Sequence, residues 1–515
     1  MDEKEIDLKK GTKEKSKTGN LGADATLLTF SKIATSAIAM VMSMILARSA
    51  YTDSDKAVYK EIMMIVNLVS SFIMLGLPKS LNFFLARTES KEEKRKFLSF
   101  YYTLNTILSF VVGLVLVISV MIIDDKDLGK YLYFLALFPW TKIICASIEN
   151  LLIVYKKAKY LVVFRILNSA ALLLSLVLAV ALGWSFGVYM LAYVIVEAFF
   201  SIAVYILAGK FAEGVRPYIT MKMLKRVLAF SIPLGLASVV GTLNIELDKF
   251  IIRIFMDDKN FQTYTFVATE LPVTMIASSF TAVLLPQMVR MLSKNDTKKA
   301  LKLWGNATTL SLMIISVVSV GCFVFCGDVV NILYGPDYVY GKWVFGLYSL
   351  YLILRCTYYG MVLNSVGKTT FIFWSSIGTL VSNAVLNVVF FFTLETFFGE
   401  TAAMISPALA TLVSTIIMGM IQLVATAKLL SVGIKDVFPW FDALKMILLN
   451  VAFGAVFVGI KYIVPLEKYV AIAPKGGLDG SAVESVILAA VWVMIYFAIM
   501  LKPIKRRWNA LKVKD

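Results

Sequence analysis

Residues 228–253, LAFSIPLGLASVVGTLNIELDKFIIR, combine an apolar run with four charged side chains. The first sixteen residues are apolar, and at about 1.5 Å per residue the segment can cross a bilayer core of about 30 Å. One charged side chain at the centre of a membrane helix costs about 2.5 to 3.5 kcal/mol, so such groups normally face a partner or a water-filled cavity. The segment is therefore predicted to be a membrane helix with a surface that does not face lipid.

The charges of this helix fall on two faces. At about 100° per residue, Glu246, Lys249 and Arg253 lie on one arc about 60° wide. Asp248 joins Asn244 on the far side of the helix. The sequence thus predicts two separate polar environments, one on each side.

The composition is that of a polytopic membrane protein. Of 515 residues, 59% are hydrophobic and only 17% are charged, which is too apolar for a soluble protein of this length. The net charge of +17 does not indicate nucleic-acid binding, because the basic residues occupy short loops between apolar runs. The sequence lacks histidine, which excludes His-based catalysis and makes a zinc site improbable. Cys145, Cys322, Cys326 and Cys356 lie in apolar runs and are predicted to be core residues.

Apolar runs bounded by charges or turn residues predict an all-α fold with fourteen transmembrane helices. Charges in the intervening loops alternate: one side of the membrane collects lysine and arginine, the other aspartate and glutamate. Because lysine and arginine mark the cytoplasmic side, both termini are predicted to be cytoplasmic. The predicted spans 1 to 14 are 24–50, 58–86, 97–123, 130–155, 160–182, 187–208, 226–256, 262–289, 303–325, 341–366, 369–394, 401–427, 440–463 and 482–501.

A weak internal repeat divides the chain into two six-helix lobes. Span 1 contains LTFS at residues 28–31 and span 7 contains LAFS at 228–231, while Leu-Pro pairs precede the same end of spans 2 and 8. An offset near 200 residues is expected for two bundles of the same orientation. The predicted organisation is a cytoplasmic polar tail (1–23), an N-lobe (24–208), a cytoplasmic linker (209–225), a C-lobe (226–430), spans 13 and 14 (431–502) and a basic cytoplasmic tail (503–515).

Ionisable residues inside the spans are the candidate site, because each burial costs energy that a leucine would avoid. The cations suit an anionic ligand such as a phosphate, to which ammonium and guanidinium groups give charge-assisted hydrogen bonds. The acids either neutralise these cations or titrate as a site for a coupling cation, H+ or Na+, and the sequence leaves both roles open. No other cofactor is expected. The cations are Lys79, Lys249, Arg253, Lys32, Lys142 and Arg355, and the acids are Glu246, Asp248, Glu149 and Glu197.

Prolines inside several spans remove backbone hydrogen bonds and predict kinks. Transporters bend at such interruptions when they change state, although static membrane proteins also contain kinked helices. The prolines concerned are Pro78, Pro233, Pro272, Pro286 and Pro407.

An ordered series of motifs resembles the polysaccharide transporter (Wzx-like flippase) family of the multidrug/oligosaccharidyl-lipid/polysaccharide exporter superfamily. The series covers nearly the whole chain: GLPKSLNFFLAR in span 2, SIPLGLASVVGTLNIELDKFII in span 7, VLLPQMVRML in span 8, ILYGPDYVYGKWVFGLYSLYLILR leading into span 10, and NSVGKTTFIFWSSIGTLVSNAVLNVVFF in span 11.

The resemblance implies a flippase of the bacterial inner membrane. Such a protein moves an oligosaccharide linked to undecaprenyl diphosphate from the inner to the outer leaflet by alternating access, for capsule, O-antigen or related surface polysaccharides. A polysaccharide polymerase would be a partner. By position, Lys79, Lys249 and Arg253 match the cavity charges of such proteins, and Lys32 matches less closely. The arginine-rich first spans of lipid II flippases are not reproduced, which argues against that substrate.

Two other function classes use features of this sequence. A cation-coupled exporter of drugs or metabolites in the same superfamily would use Glu246 or Asp248 for coupling, but the excess of basic groups argues against cationic drugs. A membrane glycosyltransferase or polymerase normally needs a substantial external loop with catalytic side chains, and every predicted external loop is short. The protein is therefore expected not to be an enzyme.

Overall fold

The computed structural model describes residues 19–87, 90–463 and 480–511, and these residues form helices and connecting turns without a β-strand. Short 3₁₀ helices at Pro272–Thr274 and Pro336–Gly341 join longer elements. The predicted all-α class is confirmed. The α-helices are α1 (Gly19–Arg48), α2 (Asp53–Met74), α3 (Leu77–Arg87), α4 (Lys91–Ile123), α5 (Lys126–Gly129), α6 (Leu132–Val154), α7 (Ala158–Ala181), α8 (Phe186–Phe211), α9 (Met221–Phe255), α10 (Asp258–Val267), α11 (Met275–Ser293), α12 (Thr297–Val324), α13 (Cys326–Tyr334), α14 (Lys342–Leu354), α15 (Met361–Ser365), α16 (Thr369–Phe398), α17 (Glu400–Ala403), α18 (Ser406–Leu430), α19 (Ile434–Val437), α20 (Trp440–Ile463) and α21 (Gly480–Leu511).

Twelve helical segments in this described part of the chain are long and apolar enough to cross a membrane. They coincide with twelve of the predicted spans, all except spans 7 and 10. Span 7 corresponds to α9, a helix of 35 residues, whereas span 10 is divided between α14 and α15. The chain is a multi-pass membrane protein, and the count of fourteen remains a prediction.

Three of the five prolines follow breaks between helices. α2 ends at Met74, and Leu75 (φ 27°) and Gly76 (φ 74°) make the break before Pro78. Pro272 begins a 3₁₀ helix and Pro407 stands in the first turn of α18, where a missing N–H costs no helical hydrogen bond. The remaining two, at positions 233 and 286, lie inside α9 and α11.

The structure alters the predicted tails. α1 begins at Gly19, inside the segment predicted to be a polar tail, and α21 continues to Leu511 through most of the predicted basic tail. Arg507 explains the second extension, since its guanidinium donates to Asn306 Oδ1 at 2.5 Å and pairs with Asp442 at 2.6 Å. Residues 1–18, 464–479 and 512–515, which complete the predicted tails and the largest external loop, lie outside the described residues.

The helices before and after residue 209, called the N-lobe and the C-lobe, meet at the end of the bundle where α1 finishes and α2 begins. This end is called the acidic end after Asp53 and Asp55 in the first turn of α2 and Asp257 before α10. Arg48 of α1 donates to the carbonyl oxygens of Asn331 (2.6 Å) and Ile332 (2.8 Å) in α13. One buried apolar cluster contains residues of both lobes, including Leu46 and Ile62 from one and Ile252, Phe261 and Phe345 from the other. The opposite end, with the lysine- and arginine-rich loops, is called the basic end.

Nearer the basic end, α9 crosses the break between α2 and α3, and a glycine lies on each side of the contact, Gly235 and Gly76. A Cβ placed on Gly235 of α9 would lie 2.0 Å from the carbonyl carbon of Leu75, and one on Gly76 would lie 2.6 Å from the Ser231 carbonyl oxygen. Only residues without a side chain allow the backbones of α9 and the α2–α3 break to approach this closely. The rings of Phe83 and Phe230 stack beside the crossing, 4.2 Å apart.

Candidate functional site

A cavity of about 710 Å³ lies between the lobes. Its wall comes from α1, α2, α7 and α8 of the N-lobe, and from α9 and residues 269–275 of the C-lobe. Polar side chains are spread through this wall. They are Ser36, Ser43, Tyr59, Lys60, Asn67, Ser169, Tyr189, Tyr193, Lys249, Thr269, Glu270 and Thr274.

Lys249 brings one predicted cation to the cavity. Its ammonium lies 2.6 Å from Glu246 Oε2, one turn earlier in α9. Asn67 of α2 donates to the other carboxylate oxygen at 3.4 Å. Glu246 is 95% buried as a side chain, so the pair forms a partly dehydrated ion pair on the wall, with the lysine the more exposed partner.

Lys60 is the second cation of the cavity, and the sequence reasoning missed it. Its ammonium stands 3.9 Å from the centre of the Phe266 ring. Among the described residues, no carboxylate lies within 4 Å of it, unlike Lys249. Position 60 is close to the start of predicted span 2, where a lysine can reach the interface. The available signal was its spacing from Asn67, because residues seven apart share one helix face.

Asp248, on the opposite face of α9, lies in a second polar site between helices of the C-lobe. Its side chain accepts hydrogen bonds from Thr411 (2.7 Å), Tyr348 (3.0 Å) and Asn387 (3.2 Å), and the residue is 99% buried. The two predicted faces of this helix are therefore present. Two further side chains complete the surroundings: Tyr264, whose hydroxyl is 3.4 Å from Asp248, and Asn383, which donates to Asn244 at 3.2 Å.

This second site is rich in oxygen atoms. Asn387 Oδ1 is buried without a hydrogen-bond partner, and Asn383 Oδ1 accepts from Asn387 at 3.0 Å. One carboxylate surrounded by amide and hydroxyl oxygens is a donor set suited to a hard monovalent cation or a proton. Within the described residues, no group of three or more Asp, Glu or Cys side chains is arranged to hold a metal ion. We call the residues Asp248, Tyr264, Tyr348, Asn383, Asn387 and Thr411 the Asp248 pocket.

Arg253 connects the lobes rather than facing the cavity. It pairs with Glu61 of α2 and with Asp258 at the start of α10, both at 2.7 Å. Glu61 is 88% buried as a side chain, so this ion pair lies within the contact between the lobes at the acidic end.

Two other predicted residues, Glu149 and Lys32, form a cluster with Arg165 inside the N-lobe. Glu149 of α6 accepts from Lys32 of α1 at 3.1 Å and from Arg165 of α7 at 2.5 Å. With two cations on one carboxylate, the cluster keeps one net positive charge. It ties three helices together and does not line the cavity.

The remaining predicted residues lie apart from one another. Lys142 of α6 is 5.9 Å from the centre of the Phe138 ring and near the buried Glu197 of α8. Arg355 pairs with Glu270 at 3.2 Å, which brings it to the edge of the cavity. Lys79 belongs to α3, and its side chain lies outside the described part of the structure.

One protein-family model matches this chain. Residues 45–340, more than half of the chain, match a family described as polysaccharide biosynthesis protein. The matched region includes the cavity wall from Leu46 onward as well as Arg253 and Asp248. No curated protein matches the chain.

Solved structures of membrane transport proteins share the fold. The lipid II flippase MurJ in an inward closed conformation is 16% identical and has a TM-score of 0.64, with 92% of this chain and all of that chain covered. A MATE protein in complex with MaL6 is 13% identical at a TM-score of 0.55, covering 79% and 96% of the two chains. A MOP superfamily transporter from Pyrococcus furiosus gives 14% identity, a TM-score of 0.55 and coverages of 78% and 95%. Identities this low establish the architecture alone.

Proposed function

Because this chain belongs to the polysaccharide biosynthesis protein family, we propose that it is a flippase for a lipid-linked oligosaccharide. The substrate class is an oligosaccharide on undecaprenyl diphosphate, moved from the inner to the outer leaflet of the bacterial cytoplasmic membrane. The glycan would serve a capsule, O-antigen or related polymer, with a polysaccharide polymerase acting next. The observation that carries the proposal is the cavity between the lobes with Lys60 and Lys249 in its wall.

The two lysines suit a diphosphate. They come from different lobes, Lys60 from α2 and Lys249 from α9, so one anionic group between them would contact both lobes. Charge-assisted hydrogen bonds from ammonium groups to phosphate are strong where water is scarce. Lys60 has no carboxylate within 4 Å in the described residues, and a phosphate would supply its missing counter-ion.

Hydroxyl and aromatic groups around the lysines suit a glycan. Tyr59 and Tyr193 lie on the N-lobe wall with Ser36 and Ser43. Tyrosine rings pack against the apolar faces of sugars, and hydroxyls exchange hydrogen bonds with sugar hydroxyls. The lipid tail would remain in the bilayer, because its transfer into a polar cavity is unfavourable.

Alternating access would require the acidic end to open. That end is held by the Arg253–Glu61 ion pair and by the hydrogen bonds from Arg48 to α13. Neither contact crosses the cavity, so both can break while the substrate stays bound to Lys60 and Lys249. The acidic end would be external and the basic end cytoplasmic, as the distribution of lysine and arginine predicts.

A cation in the Asp248 pocket would couple transport to an ion gradient. Asp248 has only neutral donors around it, so H+ or Na+ would complete the charge balance of the buried carboxylate. The substitution Asp248→Asn keeps the size of the side chain and removes its charge. We expect it to abolish the dependence of transport on the Na+ or H+ gradient, while Glu92→Gln, which removes an exposed carboxylate outside the pocket, leaves that dependence in place.

The flippase assignment is tested in cells that depend on variants of this protein. Lys60→Gln and Lys249→Gln should cause lipid-linked oligosaccharide to accumulate on the cytoplasmic leaflet and surface polymer to disappear, with the protein at its normal level in the membrane. Lys157→Gln, which removes an exposed lysine far from the cavity, is the matched control. Normal surface polymer in both cavity variants would refute the proposed binding residues, and unchanged lipid intermediates in depleted cells would refute the flippase.

A cation-coupled exporter of drugs or metabolites is the second candidate, because Glu246 neutralises Lys249 and the wall also contains the carboxylate of Glu270, which pairs with Arg355 at the edge of the cavity. A resistance profile that changes on overexpression, with lipid intermediates unaffected, would favour this function.

A further inference from the structure

A second cavity, of about 550 Å³, lies at the basic end of the C-lobe, away from the proposed transport route. Its wall comes from the start of α12, from α19 and the turn after it, and from the last part of α21. Four cations line it: Lys298, Lys302, Lys435 and Arg507. The acidic side chain in the wall is Asp436.

The four cations are not equivalent. Arg507 is fixed by Asn306 and Asp442 and closes the inner side of the cavity. Lys298, Lys302 and Lys435 are exposed, and within the described residues none of the three has a carboxylate within 4 Å. The neighbouring Lys299 differs, because it pairs with Asp296 at 2.7 Å. Three positive charges thus line the cavity against one negative charge, Asp436, and none of the three is held in an ion pair within the described residues.

An apolar groove of about 250 Å³ lies beside this cavity, with Phe438 in the wall of both. A further pocket between them shares Met420 and Trp440 with the groove and Lys435 and Pro439 with the cavity. On α20 the groove is lined by Trp440, Leu444 and Ile447, one helix face at intervals of four and three residues. On α18 it is lined by residues 416, 419, 420 and 423, again one face. The groove therefore runs from the basic end along the helices toward the middle of the membrane.

The junction between cavity and groove has the aromatic residues of a membrane interface. The Trp440 indole donates to the Ile434 carbonyl oxygen at 3.1 Å and packs 4.9 Å from the Phe438 ring. Phe441 is 78% exposed. Tryptophan is enriched at the boundary between headgroups and hydrocarbon, and Trp440 therefore indicates where that boundary lies. The cations consequently lie at headgroup level and the groove at acyl-chain level.

We propose that this cavity and groove bind one anionic phospholipid of the surrounding bilayer, with its phosphate on Lys298, Lys302 and Lys435 and an acyl chain in the groove beside Trp440. A zwitterionic lipid carries its own cation and satisfies three uncompensated lysines less well. Basic pockets between helices on the cytoplasmic side are a known form of headgroup recognition. The bound lipid joins α12, α18, α20 and α21, and so fixes the two C-terminal helices to the C-lobe.

Native mass spectrometry of the full-length protein, titrated with phosphatidylglycerol or phosphatidylcholine, tests the proposal. The variant Lys298→Gln/Lys302→Gln/Lys435→Gln should bind phosphatidylglycerol at least about tenfold more weakly, because each lysine near an anionic headgroup contributes about fivefold. Its binding of phosphatidylcholine should not change. The matched control, Lys157→Gln/Lys159→Gln/Lys222→Gln, removes three exposed lysines from the N-lobe side of the same end and should bind like the wild type.

A second variant tests the groove separately from the charges. Leu444 is 56% exposed, so Leu444→Trp fills the groove mouth without disturbing the core. It should weaken binding of both lipids at this site, whereas free glycerol phosphate should not displace the bound lipid. Unchanged lipid binding in the triple lysine variant overturns the proposal. Displacement by glycerol phosphate at concentrations similar to the lipid also overturns it, since the site would then bind soluble anions. Neither outcome depends on flipping activity.

Discussion

The crossing of α9 with the α2–α3 break gives a sharp test of how the lobes move, through the substitution Gly235→Ala. The added carbon would lie 2.0 Å from the Leu75 carbonyl carbon, whereas ordinary contacts begin at 3.4 Å. Its three closest contacts, at 2.0 to 2.4 Å, are all backbone atoms, so no side-chain rotation relieves them. The helices would have to part by more than an ångström in the observed conformation.

The free-energy effect of Gly235→Ala is the cost of overpacking minus the gain in helix propensity. Overpacking costs about 1 to 3 kcal/mol, and a backbone contact without room to adjust belongs at the upper end of that range. Alanine in a helix gains up to about 1 kcal/mol over glycine. The net penalty of about 2 kcal/mol applies only to the conformation in which the helices cross closely. This penalty would shift the equilibrium between the two conformations about thirtyfold toward the one in which α9 and the α2–α3 break are apart.

Distances between spin labels measure this shift. Labels at positions 157 and 298, both exposed and in different lobes, should show a larger population of separated lobes in Gly235→Ala. Gly241→Ala is the matched control, because a Cβ there meets nothing within 4 Å and the same helix gains the same propensity. If both variants give the wild-type distance distribution, the crossing does not restrain the lobes and the reasoning is wrong.

Two further substitutions test contacts at the acidic end. Glu61→Gln removes the N-lobe partner of Arg253, which then keeps only its ion pair with Asp258. We expect the closed acidic end to lose about 1 to 2 kcal/mol of stability, seen as faster labelling of cysteines placed there. Asp328→Asn weakens the ion pair that joins Lys461 of α20 to α13. A loss of about 2 kcal/mol should lower the thermal unfolding midpoint by about 2 °C in a chain of 515 residues. Glu92→Gln, in an exposed pair, should change neither measurement, and an equal effect from it would contradict both predictions.

Features set by local geometry could be read from the sequence. The two faces of α9 follow from the helical repeat alone, and Glu246 with Lys249 indeed lies opposite Asp248. The breaks before Pro78 and Pro407 follow from the missing N–H of proline. In each case the cause lies within one or two helical turns of the effect.

Partners that are distant in sequence could not be predicted. Thr411 is 163 residues from Asp248, and Glu61 is almost 200 residues from Arg253, so neither contact leaves a local pattern. The sequence analysis therefore assigned to one candidate site cations that have different surroundings in the structure. Lys32 lies in a cluster that joins three helices, whereas Lys249 lies on the cavity wall. Periodicity shows which side of a helix is polar, but only packing shows what that side contacts.

The adjacency of Asp248 and Lys249 links the two sites proposed here. The two residues are neighbours in one continuous helix, but Asp248 faces the Asp248 pocket and Lys249 faces the cavity. A cation that moves α9 would therefore also move Lys249, which is proposed to bind the diphosphate. Thermodynamic linkage then sets a condition that either site can test. If Na+ changes the affinity for the lipid diphosphate by some factor, the diphosphate must change the affinity for Na+ by the same factor. In Asp248→Asn, Na+ should no longer change the affinity for the diphosphate, and the diphosphate should no longer change the affinity for Na+. Lys60→Gln, which changes only the cavity, should weaken diphosphate binding and leave Na+ binding to the free protein unchanged.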